Sequence, residues 1–177
     1  MPLIKTYETD EATGELKALY DEIIALRGRV GNNAKLSSVS PEVLRQQFDF
    51  IKYYMNHPTL SMPLLASIRI FVSSGEECEF CVDFNTGLLI NMMGWTLEQV
   101  QAMRQDIDKA NLPKREIALL KLVVKAVQNA HSVNANDLDE LREMQWGDKD
   151  ILDAVNHGAR MLATDILFNT FKIEKDF

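Results

Sequence analysis

The stretch Ser73–Leu89, "SSGEECEFCVDFNTGLL", carries both cysteines of the chain and places them three positions apart, as Cys78 and Cys81. Gly75 can end the apolar helix that precedes it, and a new helix can begin at Cys78. Two residues at this spacing share one helix face, with their Cβ atoms about 5–6 Å apart. A relaxed disulfide prefers about 3.5–4.5 Å, so a bond between these thiols would be somewhat strained and easily reduced. The spacing therefore favours a pair that cycles between dithiol and disulfide.

The charges around the two cysteines act in opposite directions on the thiol pKa. Placing Cys78 in the first turn of a helix puts unpaired N–H groups near the sulfur, which favours the thiolate. Glu76, Glu77 and Glu79 surround the pair with negative charge, which disfavours a second anion. The balance between these two effects stays open at the level of sequence.

Two other interpretations of the cysteine pair compete with redox chemistry. Zinc needs about four ligands, and the chain offers neither a second C-x-x-C nor a close pair among His57, His131 and His157. We therefore predict no metal and no cofactor. The second interpretation is two thiols simply packed in a helical core, where free cysteine is common. We rank redox use above packing because these are the chain's only cysteines and they share one helix turn.

Helical periodicity runs along the whole chain, with no strictly alternating stretch that would predict a sheet. Thr96 and Gln99 form a capping-box pattern, and we expect Gly28, Gly75, Gly94 and Gly147 to end helices. The sequence predicts an all-α fold of seven or eight helices. We expect one domain over residues 1–177, with the N-terminal helix, residues 10–28, as an arm or packing element.

Charge and composition exclude several classes of partner. The chain has 26 acidic and 19 basic residues, a net charge of −7, so it should not attract nucleic acid or anionic lipid surfaces. Its start turns acidic within ten residues and lacks the pattern of a signal peptide, and no later run is long enough for a bilayer span. We expect a cytoplasmic protein with no membrane or nucleic-acid partner.

Four segments of the chain carry a family resemblance: the loop "GNN", the segment "PEVL", the motif "SGEECEFCVDFN" and the later "LPKREIALLKLVVKAV". On these segments, the chain resembles the alkylhydroperoxidase D-like (AhpD-like), or carboxymuconolactone decarboxylase, family from about Gly31 onward. The resemblance implies an all-α fold that forms homo-oligomers, often trimers or hexamers. It also implies a dithiol that reduces a small hydroperoxide and is restored by a separate dithiol reductant. By position, Cys81 is then the cysteine that peroxide oxidises, and Cys78 is the one that closes the disulfide.

The chain departs from the peroxidase pattern at two positions that serve proton transfer. The pattern has Glu twelve residues before the first cysteine and His four residues after the second, and here Ala66 and Asn85 stand in those places. Asn85 lies on the face of the two cysteines and can donate a hydrogen bond, but it cannot exchange a proton near neutral pH. His157, in "DAVNHGARM", is a further candidate for a role in proton transfer, because histidine is the side chain that ordinarily gains and loses a proton near neutral pH.

Three functions follow from these observations. The first is a thiol-dependent, peroxidase-like oxidoreductase that uses Cys78 and Cys81 on hydroperoxides or disulfides and is slowed by the missing Glu and His. The second is a non-catalytic helical oligomer whose dithiol senses redox state or is a remnant. The third is lactone chemistry of the carboxymuconolactone decarboxylase type, against which the presence of the cysteine pair argues, since those members generally manage without it.

Overall fold

The computed structural model describes all 177 residues, Met1–Phe177, and contains helices but no strands. It has nine α-helices and two short 3₁₀ turns at Ile107–Lys109 and Ala130–Ser132. The α-helices are α1 Gly14–Arg27, α2 Asn32–Lys35, α3 Pro41–Met55, α4 Met62–Gly75, α5 Glu79–Met93, α6 Leu97–Gln105, α7 Lys114–Gln128, α8 Ala135–Glu143 and α9 Asp148–Phe171. The all-α prediction is confirmed. Eight of these helices have nine or more residues, and the ninth, α2, is one turn within the polar loop.

Side-chain hydrogen bonds cap the starts of α4 and α6. Thr96 accepts the N–H of Gln99 at 3.2 Å and donates its own N–H to the Gln99 side chain at 2.8 Å, so the capping box is confirmed. Ser61 caps α4 by accepting the N–H of Leu64 at 3.2 Å. No helix has the length and apolarity that a membrane crossing requires.

Three of the four glycines predicted to end helices do so, and the prediction for Gly147 is wrong. Gly28 and Gly94 end α1 and α5 in the left-handed region, at φ 80° and 71°. Gly75 ends α4 as its last residue, without a left-handed conformation, whereas Gly147 lies beyond the end of α8.

Non-glycine residues occupy the left-handed positions after α4 and α8. Glu77 has φ 53° and Gln145 has φ 64°. Each is held there by main-chain hydrogen bonds that close the helix, among them Trp146 N–H to Leu141 O at 3.1 Å. A left-handed residue with a Cβ atom costs about 1–2 kcal/mol, which is why the sequence rule looks for glycine. The closing bonds offset that cost here.

The chain divides into two compact units, of which the first comprises Met1–His57 and Leu167–Phe177. Its core includes four buried residues of α1, which packs on α3: Leu16, Leu19, Tyr20 and Ile23. Tyr20 donates its hydroxyl to the carbonyl of Tyr7 at 2.8 Å. The N-terminal helix is therefore a packing element within this unit, while a single domain over residues 1–177 stays a prediction.

The second unit, Pro58–Ile166, is built around α4, which packs against α5 and α7. Helix α4 is buried on several faces, with Leu64, Leu65, Ile68 and Ile70 all inaccessible to solvent. One side of the unit's core consists of Ala66, Ile70, Leu89, Trp95, Val100, Met103 and Ala110. Helix α4, whose carboxyl end leads to the cysteines, is therefore the central element of this unit.

A glycine allows α9 to approach its neighbours closely in the second unit. An ideal Cβ atom on Gly158 would lie 2.6 Å from Val123 Cγ1 and 3.2 Å from Val127 Cγ2, both on α7. Such distances are too short for ordinary carbon contacts, so the backbone approach depends on the missing methyl group. Residues near Gly158 on α9 are thereby brought against the core.

We expect Gly158→Ala to lower the free energy of unfolding by about 1–3 kcal/mol, because overpacking outweighs the gain in helix propensity. Gly87→Ala in α5 is the matched control, since the nearest neighbour to its added Cβ would be Asn91 Nδ2 at 3.8 Å. That variant should be unchanged or more stable by up to about 1 kcal/mol. Urea denaturation measures both, and equal shifts in the two variants would contradict the close-packing argument.

Candidate active site

The end of α4 determines where Cys78 lies. Ser73 O accepts the N–H of Cys78 at 2.9 Å, and Ser74 O accepts the N–H of Glu77 at 3.4 Å. These two bonds, with Glu77 left-handed between them, form a Schellman motif. The motif places Cys78 at the N-cap of α5, one position before the predicted first turn.

Both cysteines are free thiols shielded from solvent. Cys78 is 1% exposed and Cys81 is 3% exposed. Cys81 is the third residue of α5, so both side chains lie at the start of one helix, as the spacing predicted. The buried position means that any reagent must enter through a local opening.

A carboxyl group from a distant part of the chain completes the cluster. The two sulfurs and a carboxylate oxygen of Asp165, on α9, all lie within 4.8 Å of one another, and Asp165 is 0% exposed. Ser73 donates its hydroxyl to Asp165, with Oγ 3.0 Å from each carboxylate oxygen. Three helices, α4, α5 and α9, thus converge on one buried polar site.

Burial raises the pKa of Asp165 to about 6, because the ionised carboxylate loses its water. Hydrogen bonds from Cys81, Cys78 and Ser73 partly oppose that rise, and the negative charge of Glu76 adds to it. With this pKa the carboxyl group is mostly ionised at pH 7 and takes up its proton as the pH falls through about 6.

The pKa of the Cys81 thiol is raised, first by its hydrogen bond with Cys78 and then by burial. The negative charge of Asp165 raises the pKa of Cys81 further. Cys81 consequently holds its proton at neutral pH, and forming the thiolate requires a base within reach. Asp165 is a base in that position.

Asn85 and His157, the two accessory candidates, belong to a second polar chain among the same three helices. Asn85 is 2% exposed, donates Nδ2–H to Cys81 O at 2.7 Å and accepts a hydrogen bond from Arg69 Nε. Arg69 NH1 lies 3.1 Å from His157 Nε2. Since guanidinium only donates, the imidazole nitrogen is the acceptor in this contact. The structure joins Asn85 and His157 through Arg69, while Asp165 meets the sulfurs.

The position where the family pattern has Glu contributes nothing polar. Ala66 is 1% exposed and packs in the apolar cluster with Ile70 and Leu89. A carboxylate there would be buried among aliphatic side chains, at a cost of several kcal/mol. The carboxyl group that does lie beside the sulfurs, Asp165, stands on another helix.

Sequence reasoning missed Asp165, although one signal was present. In "LATDILF", residues 162–168, an acidic residue interrupts an apolar run of α9. It falls on the helix face of Ala154, Gly158 and Met161, all of them buried. A lone carboxylate on a buried helix face needs hydrogen-bond donors, so this position indicates a buried polar site. The partner itself, Ser73, lies 92 positions away along the chain and could not be identified from spacing.

Cys78, Cys81 and Asp165 are also the groups that could hold a metal ion. Two sulfurs and one carboxylate suit a thiophilic divalent cation, but they are one ligand fewer than a structural zinc site has. The prediction that the chain binds no metal stays a prediction.

The fold is similar to those of solved AhpD-like proteins, while no family model and no curated protein matches the sequence. An AhpD core of an uncharacterized peroxidase-related protein from Ralstonia eutropha gives a TM-score of 0.86 at 20% identity, covering 99% of this chain and 92% of that one. An uncharacterized peroxidase-related protein from a Silicibacter species gives 0.85 at 18%, with the same coverage. A protein of unknown function from Agrobacterium tumefaciens gives 0.65 at 17%, covering 80% and 95%. The chain has the AhpD-like fold, as the resemblance implied.

We expect Asp165→Asn to stabilise the reduced protein at pH 8 but not at pH 4. The pKa of Asp165 is raised in the folded state, from 3.8 to about 6, so the unfolded chain releases the proton first as pH rises. The free energy of unfolding of the parent protein therefore falls by on the order of 2–3 kcal/mol as the pH rises from about 4 to 6. The side-chain amide of the variant has no proton to lose, so the variant avoids that fall. Urea denaturation at both pH values measures it. The exposed Asp10 supplies the control, Asp10→Asn, and an equal effect of Asp165→Asn at both pH values would contradict the burial argument.

Proposed function

We propose that this protein is a thiol-dependent oxidoreductase that cycles Cys78 and Cys81 between dithiol and disulfide. A small hydroperoxide is the oxidant, and a separate dithiol is the reductant. The observation that supports this most is the buried cluster in which the two sulfurs and the Asp165 carboxylate lie within 4.8 Å of one another. The AhpD-like fold supports the same class of reaction, although fold by itself does not determine function.

In the proposed cycle the sulfur of Cys81 attacks the distal oxygen of the hydroperoxide. The O–O bond breaks, an alcohol leaves, and Cys81 becomes a sulfenic acid. The sulfur of Cys78 then attacks that of Cys81, the S–O bond breaks, and water leaves as the disulfide forms. An external dithiol donates two electrons and two protons, restoring both thiols and becoming a disulfide itself.

The place of Cys78 in the backbone supports closure of such a disulfide. Cys78 has φ −85° and ψ 85°, outside the helical region, whereas Cys81 lies within α5. The sulfurs must approach to about 2.05 Å for a bond. Because the N-cap residue is free of helical dihedrals, its side chain can move toward Cys81 without unwinding the helix.

The burial of both thiols favours small oxidants. With Cys78 and Cys81 at 1% and 3% exposure, a bulky peroxide needs a larger opening than hydrogen peroxide does. The raised pKa of Cys81 slows the first step further. These two features also favour the alternative of a redox sensor, which reacts once with peroxide and does not turn over rapidly.

The resemblance further implies a homo-oligomer, a trimer or hexamer, and we include self-association in the proposal. Large apolar side chains on the second unit support it, since Met92, Leu152 and Ile166 are 70%, 68% and 54% exposed. Sedimentation equilibrium of the reduced protein tests this part, and a monomer at micromolar concentration would contradict it.

Treatment of the reduced, folded protein with hydrogen peroxide under anaerobic conditions should remove both free thiols per chain. Cys78→Ser should stop at a sulfenic acid on Cys81, detected with a dimedone-type probe, because no second thiol is present to displace water. Cys81→Ser should retain its remaining thiol far longer. Thiol titration and intact mass follow these products, and turnover with an added dithiol separates an enzyme from a sensor.

The unfolded protein provides the control for reactivity of the folded site. If both thiols survive a large excess of peroxide in the folded protein, while the same thiols react in urea, the proposed function is wrong.

A further inference from the structure

We propose that Asp165 is the proton carrier of this dithiol, in place of the Glu and His that the sequence lacks at Ala66 and Asn85. This inference rests on the proposed function. The carboxyl group is fully buried beside both sulfurs, and Ser73 orients both of its oxygens. A group in contact with both thiols can serve each half of the cycle.

The first half requires a base and then an acid at one position. The Asp165 carboxylate takes the proton of the Cys81 thiol as the sulfur attacks the distal peroxide oxygen. The O–O bond breaks, its electron pair stays on the departing oxygen, and the protonated carboxyl returns the same proton to give the alcohol. Cys81 is now a sulfenic acid, and Asp165 is a carboxylate again.

The second half repeats the transfer at the other sulfur. Asp165 takes the proton of Cys78 as its sulfur attacks Cys81, and gives it to the departing hydroxide, which leaves as water. No proton has to come from bulk solvent in either half, which suits a site whose members are at most 3% exposed. The carboxylate ends the oxidative reaction in the state in which it began.

The other polar side chains near the dithiol are committed to different contacts. The amide of Asn85 uses Nδ2 on Cys81 O and Oδ1 on Arg69, and an amide does not exchange a proton near neutral pH. Ser73 donates to Asp165 and acts through it, so it is a positioning residue. Among these groups, Asp165 is the one with a pKa, about 6, at which a proton moves in both directions near neutrality.

The pH dependence follows from the groups that act on Asp165. Cys78 and Cys81 approach it from the start of α5, Ser73 from α4, and the charge of Glu76 acts from the residue after α4. The reaction needs the ionised carboxylate at its start. We therefore expect the rate of Cys81 oxidation to fall about tenfold between pH 7 and pH 5, with its midpoint near pH 6.

Two variants and two reagents test the role, with a chelator present so that captured metal cannot contribute. Asp165→Asn should slow oxidation by hydrogen peroxide about 100-fold at pH 7 and remove the midpoint near pH 6. Ser73→Ala removes a hydrogen bond that lowers the pKa of Asp165, so its midpoint should move above pH 6. A merely structural effect would slow oxidation in both variants without removing the pH midpoint in Asp165→Asn and raising it in Ser73→Ala.

Alkylation by iodoacetamide is the second readout, since it needs the thiolate but no acid for a departing oxygen. The negative charge of Asp165 raises the pKa of Cys81. At about pH 9, where hydroxide can take the thiol proton in place of Asp165, Asp165→Asn should therefore yield more thiolate and faster alkylation. Opposite effects on peroxide and iodoacetamide support the proton-carrier role. Slowing of both, or an unchanged peroxide profile in Asp165→Asn while the parent protein reacts, would overturn it. Failure of the parent protein to react with peroxide would instead overturn the proposed function.

Discussion

A buried carboxylate is the constraint on which the second unit's polar architecture depends. Asp165 is fully excluded from water, and an ionised carboxylate in that position must have its oxygens hydrogen-bonded. Ser73 and the two thiols provide those bonds. Because the three donors come from α4 and from the start of α5, satisfying one side chain of α9 requires all three helices to be in register. That arrangement brings the carboxylate of α9 against the dithiol at the start of α5.

The hydrogen bonds from Arg69 to Asn85 and to His157 link the same three helices a second time. Arg69 precedes Ser73 by one turn of α4, and Asn85 follows Cys81 by one turn of α5, so the two sets of contacts lie in successive layers. Asn85 also ties its amide to the backbone of Cys81 at 2.7 Å. Asn85, at the position where the family pattern has histidine, thereby supports the backbone of α5 at Cys81. In the proposed cycle, the proton transfer that a histidine could perform there falls to Asp165.

Periodicity and capping rules predicted most of the helices because these signals are local. The capping box at Thr96 and the cysteine spacing could be recognised from neighbours within one turn. The end of α8 was mispredicted because its left-handed position falls on Gln145, where hydrogen bonds outweigh propensity; Glu77 has the same role after α4, although α4 ends at Gly75 as predicted. Asp165 was missed for a different reason. Its partners come from parts of the chain that only the packing of α9 against its neighbours brings together, and no spacing rule reaches that far.

Ser73 has two connections to the site, and they differ in how they tolerate substitution. Its carbonyl holds the N–H of Cys78, a bond that any residue at position 73 with the same backbone would retain. Its hydroxyl holds Asp165, and the position is fully buried, so only a small side chain with a hydroxyl can make that bond. A protein with this fold could therefore keep its C-x-x-C motif and its dithiol geometry intact while losing the orientation of its acid. The residues at positions 73 and 165 together would distinguish a dithiol with an oriented carboxyl group from a dithiol without one, a difference that the cysteine motif alone does not reveal.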